Sequence, residues 1–211
     1  MKTKTFNART AAFISMLGAL STVLMMINFP IPFAPTFLKF DIAELPALFA
    51  GFFLGPVAGI LVVIVKIFLK LVIQGTETAF VGEFSNIVGS SCFVLIAALI
   101  YKKHRTKGGA IAAMSISSVV VSVVFIFMNA YVMFPMYVSL YGMPMEAIIK
   151  MGSSVNPLVH DTVTLMLFGV FPFNLVKHFA TSFITYLIYK KSANALRSIL
   201  VVGNTVADQK A

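Results

Sequence analysis

Two polar side chains stand inside a long apolar run, and both are types that bind small molecules. Lys177 precedes Lys190 by thirteen residues, which is roughly 20 Å along a helix. Asn174 is three residues before Lys177 and falls on the same helical face. An ammonium beside an amide can bind the carbonyl-rich edge of a ligand. The alternative is that both groups pair with a carboxylate on a neighbouring helix.

A second set of amide and charged residues gathers near one end of the other apolar runs: Asn86, Asn129, Lys66, Lys70, Asp41, Glu44 and Glu83. A charged residue deep in a membrane costs at least about 2.5 kcal/mol, so each of these groups needs a partner or a function. The simple ion pairs that the spacing allows are Glu83 with Lys66 and Glu44 with Lys70. The density of polar groups predicts a ligand pocket at this end.

The sequence lacks the patterns of common catalytic sites. It contains no G-x-x-x-x-G-K-[ST], no H-E-x-x-H and no G-x-S-x-G, and these are the patterns of nucleotide binding, zinc hydrolysis and serine hydrolysis. Cys92 is the single cysteine and the three histidines are scattered. We therefore expect no enzyme, no metal site and no cofactor. An intramembrane enzyme with Glu83 or Asp161 as a base is the weaker alternative.

The composition sets the class of protein that must position these groups. Of 211 residues, 59% are hydrophobic and 11% are charged, whereas soluble domains carry about 25% charged residues. Soluble enzymes, nucleic-acid-binding modules and disordered proteins are excluded. The chain is predicted to be one polytopic membrane domain over residues 1–211, and its net charge of +9 reflects basic cytoplasmic loops.

The apolar runs predict an all-α fold of six transmembrane helices, over about 10–27, 45–55, 57–73, 84–101, 110–130 and 170–189. Eleven of the sixteen basic residues fall within 2–9, 102–107 and 190–210. An even number of spans puts these three segments on one side. By the positive-inside rule, both termini face the cytoplasm of a multi-pass plasma-membrane protein.

Two external segments are unusually apolar or long. Residues 28–44 hold three prolines and four phenylalanines, and the prolines oppose a helix. Residues 131–169 include a predicted short helix near 145–151. The two segments are expected either to rest on lipid headgroups or to form a lid or wall of the pocket.

The first span carries small residues at three- and four-residue spacing. The members of this stripe are Ala8, Ala11, Ala12, Ser15, Gly18, Ala19 and Thr22. Small residues let a second helix approach closely in lipid. The partner is either another span of the same chain or a separate subunit.

Three blocks of sequence carry a resemblance to a known family. They are FLKFDIAELPALFAGFFLGPVAGILVVIVK at 37–66, QGTETAFVGEFSNIVG at 74–89 and FPFNLVK at 171–177. Together they resemble the riboflavin-binding S component of energy-coupling factor (ECF) transporters, and the resemblance extends over about residues 8–191.

The resemblance implies a six-helix fold whose external pocket is closed by the loop between spans 1 and 2. It implies that Asn129, Asn174 and Lys177 contact the ligand. It also places further residues at or beside the pocket, namely Lys66, Phe37, Leu38, Asp41 and Glu44. The family usually has Lys-Asn where this chain has Lys66 followed by Ile67, so the surroundings of Lys66 depart from the family pattern.

The resemblance also implies partners for the chain. The stripe of the first span is similar to the family's Ala-x-x-x-Ala docking face, with Ala8–Ala12 and Ser15–Ala19 as competing matches. The implied partners are a membrane coupling subunit and two ATPase subunits.

Riboflavin fits these residue types chemically. The imide edge of its ring has two carbonyls flanking one N–H, which suits asparagine because an amide both donates and accepts. The expected walls for the dimethylbenzene end include Phe37 and Phe40, and the expected partners for the ribityl hydroxyls are Asp41, Glu44 and Thr76. The predicted function is capture of riboflavin outside the cell. The alternative is an S component or stand-alone facilitator for another small aromatic vitamin.

Overall fold

The fold, taken from a computed structural model, describes the backbone of residues 8–208 and the side chains of residues 8–189. Lys2 and Lys4 lie outside the described residues, as do the side chains of 190–210. The helices are α1 Ala8–Met26, α2 Glu44–Phe53, α3 Pro56–Gln74, α4 Val81–Lys103, α5 Lys107–Met128, α6 Phe134–Leu140, α7 Met145–Ser153, α8 Thr162–Leu165 and α9 Phe171–Asp208. Two π-helical turns, π1 at Asn129–Met133 and π2 at Met166–Val170, join α5 to α6 and α8 to α9.

Among the described residues, five helical stretches are long and apolar enough to cross a membrane. They are Ala8–Met26, Pro56–Gln74, Val81–Lys103, Lys107–Leu140 and Thr162–Tyr189. The observed boundaries differ from the predicted ones mainly in the last two spans. The fifth span ends ten residues later than predicted, because π1 and α6 continue α5. The last span starts eight residues earlier than predicted, because α8 and π2 precede α9. Helical geometry persists through both π turns, which insert a residue without breaking the chain of hydrogen bonds.

The remaining predicted span, 45–55, is the short helix α2. Its ten residues give a rise of about 15 Å, half of the roughly 30 Å hydrocarbon core of a bilayer. Glu44 through Phe52 are all buried, because α2 packs against α1, α3, α4 and α9. A helix that is apolar on every side is expected to be enclosed by protein. The core therefore centres on α2, with Leu48, Phe93 and Val94 among its fully buried side chains.

The break between α2 and α3 follows from two residues. Gly55 has a φ of 110°, a conformation that glycine adopts without steric cost. Pro56 follows as the first residue of α3, where its missing N–H has no helical partner to lose. Residues 45–73 thus form two helices separated by a sharp turn.

The segment between α1 and α2 contains a small antiparallel pair of strands, β1 at Phe29–Pro30 and β2 at Lys39–Phe40. We refer to the end of the bundle that carries these strands as the hairpin end. The predicted absence of a helix is confirmed over 28–43, and Glu44 begins α2. The predicted short helix near 145–151 is also confirmed, as α7.

Candidate functional site

Four charged residues form a buried cluster at the hairpin end. The Lys177 Nζ lies 3.0 Å from Asp41 Oδ2 and 3.7 Å from Glu44 Oε1. The Lys66 Nζ lies 3.5 Å from the same Glu44 oxygen. Two ammoniums thus face two carboxylates, and the cluster is neutral overall. This balance offsets the large cost of burying single charges.

Each member of the cluster is set by a different element. Lys177 comes from α9, Lys66 from α3, and Glu44 is the first residue of α2. Ser90 of α4 donates to Glu44 Oε1 at 2.8 Å and accepts from Lys66 Nζ at 3.1 Å. Asp41 lies just before α2 and accepts from the Ala43 N–H at 2.9 Å. Burial raises the pKa of the Asp41 carboxyl, and the Lys177 ammonium acts in the opposite direction.

A second ion pair closes the turn between α3 and α4. The Lys70 Nζ lies 2.5 Å from Glu83 Oε1, and Glu83 Oε2 accepts from Thr76 at 3.0 Å and Thr78 at 3.3 Å. The pairings expected from spacing, Glu83 with Lys66 and Glu44 with Lys70, are wrong. The four residues do pair, but with partners exchanged, because the turn at Gly75 brings Lys70 rather than Lys66 to the start of α4.

A cavity of about 100 Å³ lies beside the buried cluster and is partly open to solvent. Seven of the residues predicted for the ligand line this cavity: Phe37, Leu38, Glu44, Asn86, Asn129, Asn174 and Lys177. Lys66, Asp41 and Glu83 are not among its lining residues, and each is engaged in the ion pairs described above. Phe40 and Thr76 do not line it either.

The three asparagines of the cavity share one hydrogen-bonding arrangement. Each amide Nδ2 donates to the backbone carbonyl four residues earlier: Asn86 to Gly82 at 3.2 Å, Asn129 to Phe125 at 2.8 Å and Asn174 to Val170 at 2.8 Å. Within the described residues no hydrogen bond is formed to the Oδ1 of any of them. Each amide therefore keeps one acceptor and one donor for a ligand.

The two π turns place two of these amides in the cavity wall. Asn129 is the first residue of π1, and the carbonyl bound by Asn174 belongs to Val170, the last residue of π2. The two turns contact each other. Because a π turn shifts the register of a helix by about one residue, it reorients every side chain that follows it.

Several lining residues escaped the sequence-based prediction: Lys39, Gly82, Ser85, Gly89, Ser90, Phe125, Met133, Tyr137, Phe173 and His178. Helical spacing could have indicated some of them, since Ser90 and Phe125 lie four residues from Asn86 and Asn129 and therefore share their helix faces. Tyr137 carries no such signal, because its position depends on π1.

The hairpin is tied to the turn between α3 and α4. The Lys39 Nζ lies 3.0 Å from Glu77 Oε2, and both side chains are largely exposed. The hydrogen bond and charge of Lys39 lower the pKa of the Glu77 carboxyl. This pair lies at the rim of the cavity, because Lys39 is also one of its lining residues.

The small-residue stripe of α1 divides between two faces of the helix. Gly18 and Thr22 are buried, and a β-carbon on Gly18 would collide with Val65 of α3. The other members, Ala8, Ala11, Ala12, Ser15 and Ala19, are exposed. Part of the stripe therefore packs against the chain's own helices, and the rest is left uncovered.

The sequence matches a known family over nearly all of these elements. Residues 9–189 match the family described as ECF transporter, substrate-specific component. The chain belongs to this family. It is a family of transporter components, and the match covers the segment from α1 to the end of the described side chains.

Individual relatives agree with the family match. The chain is 36% identical to the riboflavin transporter RibU of Staphylococcus aureus over 186 residues, which cover 88% of this chain and 91% of the relative. It is 28% identical to the riboflavin transporter FmnP of Bacillus subtilis, over 84% of this chain and 88% of the relative. A solved S component of a bacterial ECF transporter superposes with a TM-score of 0.70 at 31% identity, covering 89% of this chain and 97% of that one.

Proposed function

We propose that the chain is the riboflavin-binding S component of an ECF importer. It captures the vitamin outside the cell and delivers it through a membrane coupling subunit driven by two ATPase subunits. The observation that carries this proposal is the cavity with three half-satisfied amides and an ammonium in its wall, in a chain whose relatives are named riboflavin transporters.

The ligand's polar edge would be held by groups that the fold leaves unsatisfied. Asn129 and Asn174 each offer a donor and an acceptor, which suits an imide edge of alternating carbonyl and N–H groups. Lys177 offers donors to a carbonyl or ring nitrogen beyond those directed at Asp41 and Glu44. Phe37, Leu38, Phe125 and Phe173 supply apolar walls for the ring system.

Lys66, Asp41 and Glu83, which were predicted for the ligand but lie outside the cavity wall, position the residues that line it. Lys66 and Asp41 fix Glu44 and Lys177 by ion pairing, and Glu83 holds the turn between α3 and α4 through Lys70. They therefore contribute to affinity by positioning the groups that touch the ligand.

The topology proposed is six crossings with both termini in the cytoplasm of a plasma-membrane protein, α2 counting as a short crossing enclosed by the other helices. Support comes from charge. With α2 included, four helices precede the basic segment 102–107, so that segment and the N-terminus share a side, as the positive-inside rule requires. The hairpin end then faces outward.

The exposed part of the α1 stripe is proposed as the contact with the coupling subunit. Ala8, Ala12, Ser15 and Ala19 are exposed, whereas Gly18 and Thr22 pack within the chain. Small side chains on an exposed membrane helix permit close helix–helix approach.

The proposal is tested by equilibrium titration of the detergent-purified protein with riboflavin, thiamine and biotin in parallel. Saturable binding of riboflavin alone, and a flavin absorption spectrum in the purified protein, are expected. Tighter binding of thiamine or biotin than of riboflavin would instead favour the alternative, an S component for another vitamin.

A stand-alone facilitator is distinguished by reconstitution. Vesicles that contain only this chain are expected to bind riboflavin without accumulating it, because the chain contains no phosphate-binding loop for ATP. They are also expected not to equilibrate it, because delivery is proposed to require the coupling subunit. Riboflavin equilibration across such vesicles would contradict the need for partner subunits.

A further inference from the structure

The floor of the cavity contains buried polar atoms that the proposed site does not use. Both ring nitrogens of His178 and the Oε2 of Glu44 have no hydrogen-bond partner among the described residues. Both side chains line the cavity, and their exposed fractions are 3% and 2%. An unsatisfied buried polar group costs about 1–3 kcal/mol, so such groups are retained where something else satisfies them.

Aromatic rings flank His178 without satisfying its nitrogens. The ring centroid lies 4.4 Å from that of Phe93 and 6.4 Å from that of Phe125. The charged groups that act on it electrostatically are Glu44, Lys66 and Lys177.

The chemistry of the two groups defines what would satisfy them. A neutral imidazole has one N–H donor and one acceptor nitrogen, and an ionised carboxylate oxygen only accepts. A hydroxyl group accepts one hydrogen bond and donates another. A single ligand hydroxyl can therefore accept from the His178 N–H and donate to Glu44 Oε2.

We propose that His178 is a further ligand-binding residue, which together with Glu44 Oε2 binds a hydroxyl group of the ribityl chain. This inference rests on the proposed riboflavin function and extends it to a part of the ligand that Asn129, Asn174 and Lys177 do not serve. Neighbouring atoms cover both ring nitrogens and Glu44 Oε2, so the contact requires the imidazole and the carboxylate to turn toward the cavity.

The test uses full-length protein in detergent, with His178→Phe as the main variant. Phenylalanine keeps an aromatic ring between Phe93 and Phe125 but removes both nitrogens. Riboflavin affinity is expected to fall by about tenfold or more. The affinity for lumiflavin, which has the same ring system without the ribityl hydroxyls, is expected to stay within about threefold.

The stability of the variant separates a binding role from a structural one. Since His178→Phe removes two unsatisfied buried atoms, its melting temperature without vitamin is expected to equal or exceed that of the parent. His178→Asn, which retains a donor and an acceptor, is expected to keep more riboflavin affinity than His178→Phe. A lower melting temperature together with unchanged riboflavin affinity would overturn the proposal.

Thr181 provides a matched control. Its hydroxyl is also buried without a partner among the described residues, it lies one turn further along α9, and it is not among the residues that line the cavity. Thr181→Val is expected to leave both flavin affinities unchanged. An equal loss of riboflavin and lumiflavin affinity in His178→Phe would overturn the assignment to the ribityl chain.

The parent protein distinguishes this inference from the proposed function. If the parent binds no riboflavin, both the function and the role of His178 are overturned. If the parent binds riboflavin and His178→Phe binds it equally well, only the role of His178 is overturned.

Discussion

The Lys177 ammonium lies 3.0 Å from the Asp41 carboxylate, which joins α9 to the residues just before α2 across 136 positions of the chain. Both side chains are about nine-tenths buried. Asp41 follows directly on β2, so this ion pair connects the cavity wall to the hairpin. A residue expected to bind the ligand is thus also a structural tie between the first and last parts of the fold.

Replacement of Lys177 by methionine tests this double role. Lys177→Met leaves two buried carboxylates with one ammonium, and loss of one partner of a buried pair costs about 3–5 kcal/mol. We expect a clear fall in the thermal unfolding temperature in detergent and a loss of riboflavin binding. Asp41→Asn in the same chain should recover part of the stability but not the binding.

Lys150→Met is the control for that experiment, because Lys150 is exposed on α7. It should change neither property. An unfolding temperature of Lys177→Met equal to that of the parent would show that the ion pair contributes nothing to the fold.

The cavity asparagines should affect binding much more than stability. Asn129→Ala and Asn174→Ala each remove an amide whose free donor and acceptor are proposed to meet the ligand. Each should weaken riboflavin binding by about 1–3 kcal/mol, measured by titration. Asn28→Ala is the matched control, since the Asn28 amide also donates to a nearby backbone carbonyl, that of Met25 at 2.9 Å, but is exposed outside the cavity. Equal effects in all three variants would remove the pocket assignment while leaving the family unaffected.

The exposed pair between Lys39 and Glu77 should slow vitamin release. Glu77→Gln weakens the tie between the hairpin and the turn before α4, and exposed pairs contribute at most about 1 kcal/mol. We expect release to accelerate by up to about fivefold, with the difference decreasing at high salt. Stopped-flow flavin fluorescence measures the rate.

The pH dependence of this effect has a definite sign. The pKa of Glu77 is lowered by Lys39, so the pair is complete above the ordinary glutamate pKa and is lost as the pH falls through the lowered value. The difference in release rate between the parent and Glu77→Gln should therefore be largest at neutral pH and vanish in acid. A difference that grows on acidification would exclude this mechanism.

The exposed stripe of α1 should affect transport without affecting capture. Ala12→Leu adds bulk where the coupling subunit is proposed to dock, and close helix packing tolerates little added volume. Vitamin uptake by cells should fall strongly while riboflavin affinity and unfolding temperature stay unchanged. Ala112→Leu, the same change on the exposed face of α5, should leave uptake intact.

Gly18→Ala tests the other face of α1. A β-carbon there would collide with Val65, so this variant should lower the unfolding temperature.

Normal uptake by Ala12→Leu would contradict docking through the stripe.

The long membrane-spanning helices were predictable because hydrophobicity along the chain identifies the segments that lie in the bilayer. The turn at Gly55 and Pro56 and the short helix that begins at 145 were also predictable, because they depend on the local sequence. The length of α2 was not, since an enclosed helix need not match the bilayer, and whether a helix is enclosed depends on its neighbours. The π turns at 129–133 and 166–170 also carried no clear sequence signal.

The candidate site divides in the same way. Seven of the predicted ligand residues line the cavity. The asparagines and Lys177 were conspicuous because polar groups in apolar helices are costly, whereas Phe37 and Leu38 were implied only by the family resemblance. His178 was overlooked, since one histidine in an apolar helix gives no indication of whether a partner lies beside it. Its unsatisfied nitrogens became evident only when every neighbouring group could be located.

The sequence by itself determined that this is a membrane protein with charged and amide groups concentrated near one end of its helices. Only the tertiary structure decided that Lys66 meets Glu44 and Lys70 meets Glu83. The physical reason is that an ion pair depends on the relative depth and rotation of two helices, and these follow from packing around α2 rather than from spacing along either one.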